Sequence, residues 1–297
     1  MLAYSLLGPR LVRRRESFPS VVYNCCYGRS ESSLERLANE IGRERCFNCR
    51  NQLDKWRVHL ALGASPLHEY LPKTHLLNSA DLDTLLRLHG SLILKPRRGS
   101  HGQGVHLVDM NADGTVRISE HSIAPHTICR ERGALAAWLR RVPRERYLLQ
   151  QPVQLSMIDG RCFDLRVLVQ KGSKGSWGVT NVIARIAWSG YFNTSMTESI
   201  ATAESALSAS AVHRVESQMA KLHQVGAAAA AILEERLGLL GEVSVDCALD
   251  RDGRLWIIEV NGRPDKSLYS KVLGLADPGV VYRRSLEYAE FLLSQPR

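Results

Sequence analysis

No run of residues reaches the roughly 18 consecutive apolar positions that a membrane helix requires. A helical membrane span is therefore not expected. The first eight residues, Met1 to Gly8, are mildly apolar, but the positive charges Arg10, Arg13, Arg14 and Arg15 follow them instead of preceding them, the wrong order for a secretory signal. Cysteine is sparse and odd in number, seven residues at irregular spacing, whereas a secreted disulfide framework is even and dense. Ordinary thiols in a reduced, cytoplasmic compartment are the expectation. Cys46 and Cys49 form one C-x-x-C, with no second pair nearby to complete the four ligands of a zinc site. Internal repeats and long low-complexity tracts are missing. Aromatic residues are few around the arginine-rich stretch Arg130, Arg132, Arg140, Arg141, Arg144 and Arg146, and no known RNA or DNA module is present. That stretch reads as a solvated basic face, and nucleic acid is not an expected partner.

What remains is a globular composition: 44% hydrophobic and 23% charged over 297 residues, enough for one two-lobed enzyme or two to three small subdomains. A net charge of +9 favours acidic partners, among them nucleotide phosphates and carboxylates. The periodicity predicts helices over 32–41, 54–64, up to Leu88, 133–141, 213–237 and 282–293, with Ser32 and either Ser79 or Asp81 as caps. It predicts strands at SLILK (91–95), at 105–108, in YLLQQPVQL, FDLRVLVQK and WGVTNVIARIAW, and in GEVSVDCALD and RLWIIEVN. Residues 190–200 read as a polar loop. Three parts are expected: a short front segment, 1–52; a first lobe, 53–146; and a second lobe, 147–297.

Asp252-Gly253 suits a two-residue hairpin turn. Counted from that turn, Asp246 falls opposite Glu259, and side-chain alternation puts Asn261 on the face of Glu259. Directly opposed side chains start about 5 Å apart. The flanking residues Val243, Val245, Ala248, Ile257, Ile258 and Val260 are apolar, so two neighbouring carboxylates would repel strongly unless a cation lay between them. Oxygen-only ligands point to Mg²⁺ or Mn²⁺. A solvated acidic sheet face is the alternative.

Between two predicted strands lies Lys95-Pro96-Arg97-Arg98-Gly99-Ser100-His101-Gly102-Gln103-Gly104-Val105. Its glycines let backbone amides approach an anion closely, and its cations supply charge. The G-K-[ST] ending of a P-loop is absent, and a strand follows where a Rossmann fingerprint has a helix. A glycine-rich hairpin without a ligand is the alternative.

Taken in order, LKP-RRGSHGQGV, LLQQPV, GRCFDLRVLV, IARIA and VD…EVN resemble the core of the ATP-grasp superfamily. DKW near position 55, LPKT near 72, FDLRVLVQ and LWIIEVNGRPD are similar to its YheC/YheD group of endospore-coat-associated proteins. The resemblance runs from about Phe18 to the last predicted helix. It implies an α+β fold of two subdomains gripping ATP, after a truncated pre-grasp segment. It implies that Lys95 reaches the phosphates while Gly99, Ser100, Gly102 and Gly104 fold over them. Gln150, Gln151 and Val153 would meet adenine, and Asp164 the ribose side. Arg166 and Arg185 would neutralise phosphate charge as catalytic residues, and Asp246, Glu259 and Asn261 would hold the metal. The implied reaction joins a carboxylate to an amine through an acylphosphate, releasing ADP. Asn193 matches the asparagine that precedes paired glycines in RimK-type ligases, although Thr197 and Glu198 stand where those glycines would be; Lys266 is the further candidate for a substrate contact. A nucleotide-binding structural role, as a homodimer or in a spore-coat assembly, is the other class of function implied.

Overall fold

The structure, a computed structural model, describes residues 2–26, 31–77, 79–212 and 214–296. His213, expected to open the long helix, lies outside them, and so do the side chains of Ser32, Ser79 and Asp81, expected as caps.

Near the N-terminus, β1 (Leu2–Leu7) and β2 (Arg10–Arg15) form a hairpin whose Leu2, Tyr4, Leu6 and Leu11 are exposed. Two short strands, β3 (Val22–Tyr23) and β4 (Cys46–Phe47), pair in parallel around α1 (Glu31–Ile41). Asn48 fastens this segment to the rest of the chain. Its φ of 55° is one that asparagine tolerates better than most residues. From there its amide nitrogen donates to the carbonyls of Glu242 at 2.7 Å and Gly262 at 2.8 Å. Its oxygen accepts from the amides of Gly241 and Glu242. Phe47 stacks on Tyr23 and meets Tyr288 edge-on.

Next comes α2 (Lys55–Gly63), capped by Asp54, which accepts from the amides of Trp56 and Arg57. The first large sheet follows: β5 (Thr74–Leu76), α3 (Ser79–His89), β6 (Ser91–Pro96), β7 (His106–Met110), β8 (Val116–Glu120), β9 (Pro125–Cys129), α4 (Arg132–Leu139) and β10 (Tyr147–Gln150). Its strands run antiparallel in the order β5-β10-β6-β7-β8-β9. Leu92, Leu94, Val108 and Ile118 form its core with Leu82 and Leu86 of α3.

The second sheet contains β11 (Met157–Ile158), β12 (Arg161–Lys171), β13 (Trp177–Ala187), β14 (Thr197–Thr202), α5 (Ala203–Ala209), α6 (Val215–Leu237), β15 (Glu242–Leu249) and β16 (Leu255–Asn261), with α7 (Val280–Ser294) after it. Its order is β14-β13-β12-β15-β16, again antiparallel, with β11 paired to β12. Side-chain alternation divides β12 between two environments. Leu165, Val167 and Val169 join the core under α6, while Leu168 packs on the other face against Tyr269 and Val281. Gly226 lets α6 lie close to the sheet: a Cβ there would sit 2.8 Å from Cγ1 of Val167.

Four expectations need correction. Tyr147–Gln150 belongs to the first sheet, not the second lobe, because Leu148 and Leu149 are buried between β5 and β6. Residues 151–154 make the crossing instead. Conversely, α2 was assigned to the first lobe, yet Val58 and Leu62 pack into the core of the second sheet. The polar loop at 190–200 ends in an edge strand, β14, whose outward side chains hide its strand character. The hairpin turn is longer than two residues: Asp250 and Arg254 face each other through a 3.0 Å backbone bond, with Gly253 at φ 79°. This offsets the register by one residue. A bulge beside Cys247, which leaves Ile258 without a partner across the ladder, restores it, and Asp246 still opposes Glu259.

Candidate functional site

On the face of the second sheet away from α6, four charged residues interlock. Arg166 grips Asp246 with two parallel bonds, Nε to Oδ1 at 2.7 Å and Nη2 to Oδ2 at 2.8 Å, the strong fork geometry of guanidinium on carboxylate. Arg185, beside them on β13, donates from Nε to Asp164 at 2.9 Å and from Nη2 to Asp246 at 3.0 Å; a further close contact joins Nη2 to Asp164. Thr194 also donates to Asp164. All four charged side chains are at least 86% shielded, the most open being Arg185 at 14%. Burial alone would raise the pKa of Asp246, but Arg166 and Arg185 outweigh it and hold the carboxyl below its usual value. For Arg166, burial pulls downward and Asp246 more than compensates.

This changes the electrostatic argument for a metal. Asp246 and Glu259 do not face one another uncompensated: Asp246 has its two arginines, and Glu259 pairs with Lys55 at 3.2 Å. The donor set nevertheless fits a hard divalent cation. A carboxylate has about four lone-pair positions, and the arginines take one on Oδ1 of Asp246 and two on Oδ2. Asn261 stands next to it and donates from Nδ2 to Oδ2 at 3.4 Å, so the open position of this carboxylate is on Oδ1, and Glu259 is directly across the ladder.

Lys95 enters from the first sheet. Its ammonium is buried and donates to Oε1 of Gln150 at 2.8 Å and to the carbonyl of Ile258 at 3.2 Å, so it ties the two sheets together. Gln150 is held in turn by Thr74. Burial lowers the pKa of Lys95 to about 8, against the opposing pull of Glu259. Gln151 donates its amide to the carbonyl of Lys73, and Val153 is half-buried in the crossing segment.

The glycine loop bends through φ 145° at Gly99, 68° at Gly102 and 70° at Gly104. Side chains are excluded at two of these positions: a Cβ on Gly102 would meet Cβ of Ser195 at 2.4 Å, and one on Gly104 would meet the Tyr147 hydroxyl at 2.7 Å. Lys55 holds the carbonyl of Gly99 at 3.1 Å, and the amide of Gly104 is donated to Glu120. Ser100 lies half-buried between them. The loop therefore packs against the segment that carries Asn193, whose side chain caps that segment by accepting from the amide of Ser195.

Of the residues singled out from sequence, Arg166, Arg185, Asp164, Asp246 and Asn261 come together, with Glu259 across the ladder from Asp246. Lys95, bonded to Gln150, reaches the carbonyl of Ile258, beside Glu259, from the other sheet. Two land differently. Asp164, expected at the ribose side, has its oxygens taken by Arg185 and Thr194. Lys266, expected to meet substrate, turns inward to Glu242 at 2.7 Å and to Ser285 and Tyr23, because a carboxylate only 1% exposed needs a cation. Lys55 was not foreseen; its place beside the Asp54 cap was the available signal. A cavity of about 710 Å³ lies at the turn end of the β15–β16 hairpin, apart from this cluster, its lining including Arg214, Lys221, Arg251 and Arg254 with Glu69 and Asp252.

Two antiparallel sheets held across a cleft by a lysine, with acids and arginines on the inner face of the second, define an ATP-grasp protein. The chain belongs to the YheC/D like ATP-grasp family, whose model matches residues 43–292. It is 28% identical over 290 residues to the endospore coat-associated protein YheD of Bacillus subtilis (strain 168), covering 92% of this chain and 63% of that protein. The chain thus spans less than two thirds of that relative. Among solved structures, the N5-carboxyaminoimidazole synthetase of Staphylococcus aureus, complexed with ADP, matches with a TM-score of 0.54 at 13% identity, covering 90% of this chain and 59% of that one. The D-alanine-D-alanine ligase of Coxiella burnetii matches at 0.52 and 13%, covering 89% and 66%. Likeness at this identity establishes the fold.

Proposed function

We propose that the chain binds ATP with Mg²⁺ or Mn²⁺ between its two sheets and uses it to join a carboxylate to an amine, releasing ADP and phosphate. The observation that carries this reading is Lys95: a buried ammonium on the first sheet, beside the glycine loop and bonded across the cleft to the strand that holds Glu259 and Asn261. Lys95 would bind the phosphates under the loop from Gly99 to Gly104, with adenine against Gln150, Gln151 and Val153. Asp246, Glu259 and Asn261 would hold the cation, which when bound draws charge from the phosphate oxygens. Arg166 and Arg185 would stabilise charge that spreads over the transferring phosphoryl group. An acylphosphate made in this way would be attacked by the amine, with Asn193 and its loop near the acceptor.

A second reading is a nucleotide-binding structural protein of a spore coat. Two observations favour it. Glu198, in place of a glycine, is bound by Arg161, and the relative YheD is named for coat association.

Thermal melting with ATP, with and without Mg²⁺, tests the binding site. A ligand at a hundredfold excess over its dissociation constant adds about 2.7 kcal/mol to stability. Glu259→Gln is expected to abolish the Mg²⁺-dependent part of the shift, and an unchanged shift would move the site elsewhere. ADP release that requires both an added acid and an amine supports the ligase, whereas binding without turnover supports the structural role.

A further inference from the structure

The first sheet carries a second cluster of ligand atoms, separate from the acids of the cleft. His106 on β7 stands opposite Glu120 on β8. His126 lies on β9 beside the irregularity that follows Ile118. One nitrogen or oxygen from each of the three lies within 4.8 Å of the other two. Donors bound to one tetrahedral ion at zinc distances stand about 3.4 Å apart, so an ion would have to draw the set together, and the exposed His126 ring is the member with room to move. The His106 ring is not free to drift: it packs edge-on against Trp138 at 5.1 Å, and 5.7 Å from the ring of His126.

Two further observations point to a ligand. Nδ1 of His106 is shut off from solvent and has no hydrogen-bond partner among the described residues, a cost that folding seldom leaves uncompensated. The outer contacts of the other two members are also of the kind that orient metal ligands. Nδ1 of His126 is 2.8 Å from Oγ1 of Thr127, which leaves its other nitrogen available, and one oxygen of Glu120 is fixed by the amide of Gly104. Two imidazoles and one carboxylate suit zinc and its neighbours among the transition metals, unlike the oxygen ligands that Mg²⁺ takes.

We propose that His106, Glu120 and His126 bind one divalent transition-metal ion, of which zinc is the representative, with a position left open on the ion. The full chain, stripped of metal with a chelator and dialysed, is titrated with Co²⁺ and then challenged with Zn²⁺. One equivalent of Co²⁺ is expected to give visible ligand-field bands without a near-ultraviolet thiolate band, and Zn²⁺ is expected to displace it. His126→Ala, on an exposed side chain, is expected to weaken binding at least about tenfold, the smaller loss seen even when an outer partner of a metal ligand is removed. His106→Gln does the same, with circular dichroism checking that the sheet persists. Glu259→Gln leaves the cobalt spectrum unchanged. The proposal is overturned if no stoichiometric binding occurs, if His126→Ala binds as tightly as the parent, if a thiolate band shows cysteine ligation, or if Glu259→Gln removes the signal.

Discussion

Replacing Asp246 by asparagine keeps the shape of the side chain and removes one negative charge from beneath two guanidiniums. Arg166 and Arg185 have only 10% and 14% of their side chains exposed, so neither can turn to water for compensation. Asp164 alone is left to balance both. Removing one partner of a buried ion pair costs about 3–5 kcal/mol, most of it the penalty on the stranded charge. That is a large share of the roughly 5–15 kcal/mol that holds a folded domain together. At about 2 °C per kcal/mol for a chain of this size, the melting midpoint is expected to fall by roughly 6–10 °C. Glu259→Gln is the matched control. That carboxylate is 28% exposed, and its partner Lys55, though shielded, keeps the carbonyl of Gly99 at 3.1 Å as a second acceptor, so the loss should be smaller, about 1 kcal/mol. Urea unfolding of both variants, with unchanged denaturant slopes, measures the difference. If Asp246→Asn and Glu259→Gln were equally stable, the idea that Asp246 holds the arginine cluster together would be refuted.

Other expectations follow from the same geometry. Lys95 has a folded pKa of about 8 against about 10.4 in an unfolded chain. Between these values the unfolded chain binds a proton that the folded one does not. Stability should therefore rise with pH through this window, by roughly 3 kcal/mol, and Lys95→Met should lack that rise; parallel stability profiles would contradict it. Gly102→Ala should cost about 1–2 kcal/mol from its left-handed backbone and more from the clash with Ser195. Adding Ser195→Gly should recover only the steric part in urea melts. Asn48→Ala leaves four backbone groups, at Gly241, Glu242 and Gly262 where β15 begins and β16 ends, without their partner. Hydrogen exchange at the amides of Gly241 and Glu242 should then accelerate, with a stability loss of at least about 3 kcal/mol.

Most of the fold was legible because its signals are local. Residues 54–64 read as the helix that α2 becomes, the apolar stripe of α3 points to Leu82 and Leu86, and the run FDLRVLVQ is long enough to be a strand buried on both faces. What escaped was set by partners distant in sequence. Tyr147–Gln150 reads as the start of a new lobe until β5 and β6 are seen on either side of it. Thr197–Thr202 looks polar because only one of its edges is paired. Within the site, the spacing of Asp246 and Glu259 survived an error in the turn, since the longer loop and the bulge at Ile258 cancel. The partners of those acids were not legible: Arg166 and Arg185 could be named, but nothing local says that they would neutralise Asp246. Lys266 was misplaced because the buried Glu242 that draws it in lies 24 residues earlier in the chain.

The unpaired residue in β16 has a consequence for how hairpins of this kind can vary at constant length. Ile258 adds nothing to the ladder, yet its carbonyl is the one that Lys95 reaches from the opposite sheet. A relative with a tighter turn and no extra residue would keep both acids, at the same interval, and still lack the acceptor that ties its two halves. Such an exchange of turn and bulge, with no change of length, would separate two properties that substitutions leave linked: the ligands in the cleft, and the stiffness with which the cleft is held.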